Sequence, residues 1–219
     1  MPSVLEPEPD PLFSALRRFA RKRPAVETCE LCSAELGAGH PHLVEPAHRK
    51  LVCACDACAI LFSQQGASKY RRVPRRIRLL PDFRMTDGQW DALAIPIGLA
   101  FFFHCSPLGK VAAFYPSPAG AIESLLSLDS WNDIVALNPV LNEIEPDVEA
   151  LLVNRVGQSH GRAAAAYYLA PIDACYRLVG VIRANWRGFS GGSETWDEIG
   201  RFFAGLDAAA EPVGEAPRA

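Results

Sequence analysis

The 219-residue sequence has no uninterrupted apolar segment long enough to cross a bilayer. Its longest apolar run, Ala92–Phe103, covers twelve residues and contains Pro96 and Gly98. A membrane helix needs about 20. The N-terminus lacks the charged stretch and apolar core of a secretory leader. Nor are the cysteines spread as an even set, because five of the seven lie in the first 58 residues. That distribution argues against a disulfide framework and for a reducing cytoplasmic setting. Paired carboxylates at catalytic spacing, a His-Glu-x-x-His pattern and an internal repeat of solenoid length are all missing. Cys105 and Cys175 stand alone in apolar runs and read as buried small hydrophobes. His104 adjoins Cys105, but adjacent strand residues face opposite sides, which weakens any dyad. The Ser190–Ser193 segment has no lysine and follows a helical stretch, so it reads as a loop and not a phosphate cradle. No active site is legible, and a non-enzymatic protein is expected.

Two Cys-x-x-Cys pairs are present. Cys29 and Cys32 form the first, Cys55 and Cys58 the second, with twenty-two residues between Cys32 and Cys55. Each such turn aims two sulfurs at one point, and two turns from distant chain supply the tetrahedron that Zn²⁺ accepts. Four thiolates leave no open coordination position, so the expected role is structural. Cys53 rivals Cys55 as a ligand, His48 is a second alternate, and His40 or His42 of the His-Pro-His segment could reach the same ion. Iron in rubredoxin fashion is the rival metal, although neither pair carries the glycine-bearing turn of that knuckle.

Charge is uneven along the chain. Residues 1–80 hold 13 Lys+Arg against 8 Asp+Glu, net +5, and residues 81–219 hold 9 against 17, net −8. Six basic residues fall in the ten from Lys69 to Arg78. Pro74 makes this stretch extended, and Arg71, Arg72, Arg75, Arg76 and Arg78 are the candidate partner-binding residues. They suit a solvated linker, an acidic protein surface or nucleic-acid phosphates. Only Tyr70 interleaves them, so base stacking is weakly supported.

In chain order, residues 1–11 read as a flexible tail, and Leu12–Arg23 as a basic amphipathic helix. That helix and the four-cysteine module make a unit over residues 12–66. Within it, Pro41–Cys53 is a hairpin turning near Pro46–His48, and a helix follows Asp56. The basic linker covers residues 67–81. The larger unit, residues 82–206, opens with the capping box Thr86-x-x-Gln89. Strands are expected over Ile95–Cys105 and Lys110–Tyr115, and a helix over Ala119–Leu126 capped by Ser117. Ser130–Leu137 is ambiguous between strand and helix. A hairpin is expected over Glu149–Arg155 and Ala163–Leu169, then helices over Pro171–Trp186 and from Ser193 to Leu206. In the first of these helices the spacing pairs Asp173 with Arg177. Residues 207–219 read as a tail. The fold class is α+β: a small N-terminal treble-clef-like zinc module, then a larger domain with a mainly antiparallel sheet and flanking helices.

The segments CELC, HPHLVEP, LVCACDACAILF, YRRVPRRIRLLPDF, DALAIPIGLAFFF, VAAFYPSPAGA and IDACYRLVGVIRANWRGFSGG together resemble a bacterial family of unknown function. Its genes lie beside high-affinity, oxygen-tolerant nickel–iron hydrogenases. The resemblance covers about residues 12–206. It implies a zinc-bearing accessory protein for hydrogenase assembly or electron delivery, with hydrogenase subunits as partners and Cys29, Cys32, Cys55 and Cys58 as ligands. A zinc-finger nucleic-acid binder is the alternative, and an iron electron carrier the third reading.

Overall fold

The computed structural model describes residues 26–63, 68–124, 128–156, 164–188 and 190–211. The expected basic helix Leu12–Arg23 and the N-terminal tail lie outside the described residues. The chain is mixed α+β, with two antiparallel sheets and flanking helices.

The smaller sheet has the order β2-β1-β3. Strands β1 (His42–Glu45) and β2 (Lys50–Cys53) form the expected hairpin, in the register His42 to Cys53. Their turn is a 3-10 segment, Pro46–His48, closed by Arg49 in the left-handed region. Helix α1 (Asp56–Phe62) follows at once, and β3 (Arg71–Arg72) pairs with β1 on its other edge.

The larger sheet has six strands in the order β4-β9-β8-β5-β6-β7, all neighbours antiparallel. These are β4 (Arg78–Leu79), β5 (Leu99–Cys105), β6 (Lys110–Ser117), β7 (Gly120–Ser124), β8 (Glu149–Asn154) and β9 (Ala166–Pro171). The centre of the sheet is covered on both sides, which is why LAFFFHC in β5 reads as a continuous apolar run and not an alternation. One face carries Phe101, Phe103, Leu152 and Tyr168. They pack against Cys175, Leu178 and Ile182 of α4 (Ile172–Asn185) and against Ile199, Phe203 and Leu206 of α5 (Gly192–Ala209). The opposite face carries Phe102, Leu151, Val153 and Leu169. It packs against Trp90 of α2 (Asp87–Ala92) and against Trp131 and Ile134 of α3 (Leu128–Leu137). Cys105 and Cys175 are buried, as expected of small hydrophobes.

Several local expectations hold. Thr86 Oγ1 accepts from Gln89 N at 3.1 Å and Gln89 Oε1 accepts from Thr86 N at 2.9 Å, the two halves of a capping box. Ser130–Leu137, ambiguous in sequence, lies within α3. Where a helix over Ala119–Leu126 is expected, Gly120–Ser124 form strand β7, and residues 125 and 126 lie outside the described residues. Ser117 makes a turn there and not a helix cap: its Oγ donates to Gly120 O and accepts from Ala119 N, while Gly120 takes φ 131°. That geometry folds the chain back onto β6. The Asp173–Arg177 pairing is also replaced. Asp173 receives the His42 ring at 2.7 Å, and the Arg177 guanidinium lies over the Phe202 ring at 5.4 Å.

Candidate metal centre

The sulfurs of Cys29, Cys32, Cys55 and Cys58 lie within 4.8 Å of one another. Each comes from an element whose local sequence dictates its place. Cys29 starts a tight turn in which Ser33 N donates to the Cys29 carbonyl at 2.8 Å, and an isolated bridge between Thr28 and Glu35 closes it. Cys55 is the N-cap of α1, and Cys58 one turn later donates its N–H to the Cys55 sulfur at 3.5 Å. The hairpin β1–β2 lies between the two pairs and spans the distance between them. Knuckle, hairpin and helix follow in the expected treble-clef order.

The donor set fits a tetrahedral cation. A four-thiolate tetrahedron with 2.3 Å bonds places its sulfurs about 3.8 Å apart, and Cys32 Sγ lies 3.7 Å from Cys55 Sγ. Ionisation points the same way. Burial alone would raise the Cys29 thiol, but backbone N–H groups of Cys55, Leu31 and Cys32 outweigh it and bring it to about 6. Cys58 is pushed up to about 12 by burial and by the neighbouring thiols of Cys32, Cys55 and Cys29. Four sulfurs this close do not all carry charge by themselves, and a central cation removes that conflict. The cluster can therefore hold a metal ion.

Of the alternates, Cys53 is not among the four converging sulfurs. It sits on β2 directly opposite His42. His48 is exposed, and its Nδ1 donates to Glu45 at 2.5 Å. The five arginines separate in space. Arg71 and Arg72 form β3 and Arg78 starts β4, so the basic stretch passes from one sheet to the other. Arg71 pairs with Asp147 at 3.4 Å, Arg76 with Glu149 at 2.8 Å and Arg78 with Glu143 at 2.7 Å. Arg75 donates to the Gly39 carbonyl at 2.7 Å, and Arg72 is exposed. The acidic partners lie at least 65 residues away in the sequence, and no local pattern announces them.

Among the described residues no helix is long and apolar enough to cross a membrane. All seven cysteines are free. A cleft of about 550 Å³ lies between α2 and the start of β5, lined by Asp87, Trp90 and Arg155 among others, with Arg155 paired to Asp87. No curated protein and no solved structure matches the chain. A family profile does match, over residues 28–210, which takes in the four-cysteine cluster and both sheets; the chain belongs to the family of unknown function DUF5947.

Proposed function

We propose that this protein is a zinc-bearing, non-enzymatic accessory factor that works in the cytoplasm as an adaptor for a nickel–iron hydrogenase. The observation that carries the reading is the closed four-cysteine cluster beside an exposed apolar patch. Helix α1 buries Cys58 and Ala59 and leaves Ile60, Leu61 and Phe62 exposed immediately after them. A closed cluster holds a shape and performs no chemistry of its own. Large apolar side chains grouped on the helix it anchors are the mark of a docking surface. Zn²⁺ is the metal that suits four thiolates in a structural site, and the hydrogenase partner follows from the family resemblance of the sequence segments. The nucleic-acid alternative draws less support, because four of its five arginines bind groups of this chain.

The test is reciprocal co-purification with the hydrogenase subunits, together with elemental analysis. The adaptor reading expects stoichiometric zinc, recovery of both subunits, and loss of recovery in the Leu61→Asp variant. Absence of capture, together with full hydrogen uptake in a deletion strain, overturns it.

A further inference from the structure

A second group of metal-binding side chains lies beside the hairpin. One ring nitrogen each of His40 and His42, and the Cys53 sulfur, lie within 4.8 Å of one another. None of the three belongs to the four-sulfur cluster. Their convergence follows from register. His42 and Cys53 are direct partners across β1 and β2, so their side chains share one face of the hairpin. His40 stands two residues before His42, on the same side of an extended chain, and the two rings meet edge to face at 4.8 Å.

The hydrogen bonds decide which nitrogens are available. His40 Nδ1 lies 3.2 Å from the Gly37 carbonyl, which can only accept, so Nδ1 carries the proton. Its lone pair is then on Nε2. The His40 side chain is 10 % exposed, and its Nε2 is buried with no hydrogen-bond partner among the described residues. A buried acceptor without a donor is costly, and a metal ion would satisfy it. His42 Nδ1 donates to Asp173 Oδ2 at 2.7 Å, which leaves its own Nε2 lone pair free of the proton. Asp173 is held in turn by Ala174 N at 2.8 Å. A carboxylate behind an imidazole is the usual outer support of a metal-binding histidine. The loop before His40 is pinned by Arg75, which donates to Gly39 O at 2.7 Å. Glu30, itself paired with Lys50 at 2.8 Å, accepts from Cys53 N at 2.9 Å and fixes the backbone at that residue.

We propose that His40, His42 and Cys53 form a second metal site, for a borderline divalent cation of the Zn²⁺ class, with a fourth coordination position open to water. Two imidazoles and one thiolate are a borderline-soft donor set, and three protein ligands are the number at which zinc sites remain open. Binding expels the Cys53 thiol proton and leaves a thiolate–metal bond. Because Asp173 opens α4, this site ties the hairpin that bears His42 and Cys53 to the six-stranded sheet's helical layer.

The test uses the full chain, stripped of metal under reducing conditions and reloaded with Co²⁺. Two equivalents are expected, and imidazole should shift the visible spectrum of one of them only. His40→Ala/His42→Ala should take up one equivalent with an unchanged far-ultraviolet spectrum. Asp173→Asn keeps every ligand and should weaken the second site about 10- to 100-fold while leaving the first unmoved. A single equivalent in the wild type at saturating Co²⁺ overturns the proposal, as do two equivalents in the double variant. Should the double variant fail to fold, Asp173→Asn decides: unchanged affinity at both sites overturns it. A spectrum indifferent to imidazole rules out the open position.

Discussion

Arg76 grips Glu149 at two points: Nε reaches Oε1 at 2.8 Å and Nη2 reaches Oε2 at 3.1 Å. The Glu149 side chain is 1 % exposed and that of Arg76 46 %. Glu145 N also donates to Glu149 Oε2, at 3.0 Å. Arg76→Met would leave a buried carboxylate half-supported and should destabilise by roughly 2–3 kcal/mol. That is less than a fully buried pair loses, since Arg76 is partly in water. Arg76→Met/Glu149→Met should regain most of the loss. Urea unfolding of the four members of this cycle checks it, and a coupling energy near zero would contradict the ion pair's role.

Metal removal should dismantle the hairpin region first. Among the described residues the core there comprises Cys29, Leu43, Val52, Ala54, Cys58 and Ala59, and two of these six buried side chains are themselves sulfur donors. So small a core does not offset the chain entropy without a metal ion. Chelation, or Cys58→Ser, should make residues 25–66 susceptible to protease. The thermal transition of the six-stranded sheet should persist. Mass spectrometry of the first cleavage sites reads the outcome; initial cuts within β5 or β8 would contradict it.

Alkaline pH should weaken the fold through Tyr168. Burial, and then the hydrogen bond to Asp207 at 2.7 Å, push its phenol well above the ordinary 10.0. Burial likewise raises Tyr167 and Tyr176. A group whose proton is held more tightly in the folded state contributes its full stability below its unfolded pKa. That contribution is lost as pH rises through the folded value. Stability should therefore fall with pH above about 10. Tyr168→Phe should cost about 1 kcal/mol at neutral pH and flatten part of the alkaline slope. Urea midpoints on either side of pH 10 measure both effects.

Gly98 allows a close backbone approach that a side chain would crowd. A Cβ there would lie 3.0 Å from Arg155 C and from Val156 N, both backbone atoms. Arg155 N donates to Gly98 O at 2.6 Å, which locks the two segments together. Gly98→Ala should cost about 1–3 kcal/mol through displaced backbone. Thermal unfolding should show a lower midpoint, whereas Gly88→Ala, with nothing within 4 Å of its added Cβ, serves as the control for added bulk.

What was legible in the sequence was local. The turn at Pro46–His48 and the box at Thr86 and Gln89 rest on neighbours within four residues. Ser117-Pro118 misled because serine opens helices and reverse turns with the same hydroxyl, and only the pairing of β7 with β6 decides between them. Asp173 offered an arginine one helical turn away, yet its partner is His42, 131 residues distant. The basic stretch likewise concealed its acceptors, since Asp147 and Glu149 reach it only through the sheet.

The spacing of Cys29, Cys32, Cys55 and Cys58 by itself marked a four-ligand site built on two Cys-x-x-Cys pairs, because such a turn orients its sulfurs within a few residues of backbone. The strand-like runs Ile95–Cys105 and Lys110–Tyr115 likewise marked β5 and β6. Only the tertiary structure decided that Cys53 faces His42 and not the four-sulfur cluster. That choice depends on which residue stands opposite which across β1 and β2, and on a carboxylate brought to the histidine by a helix from the far end of the chain.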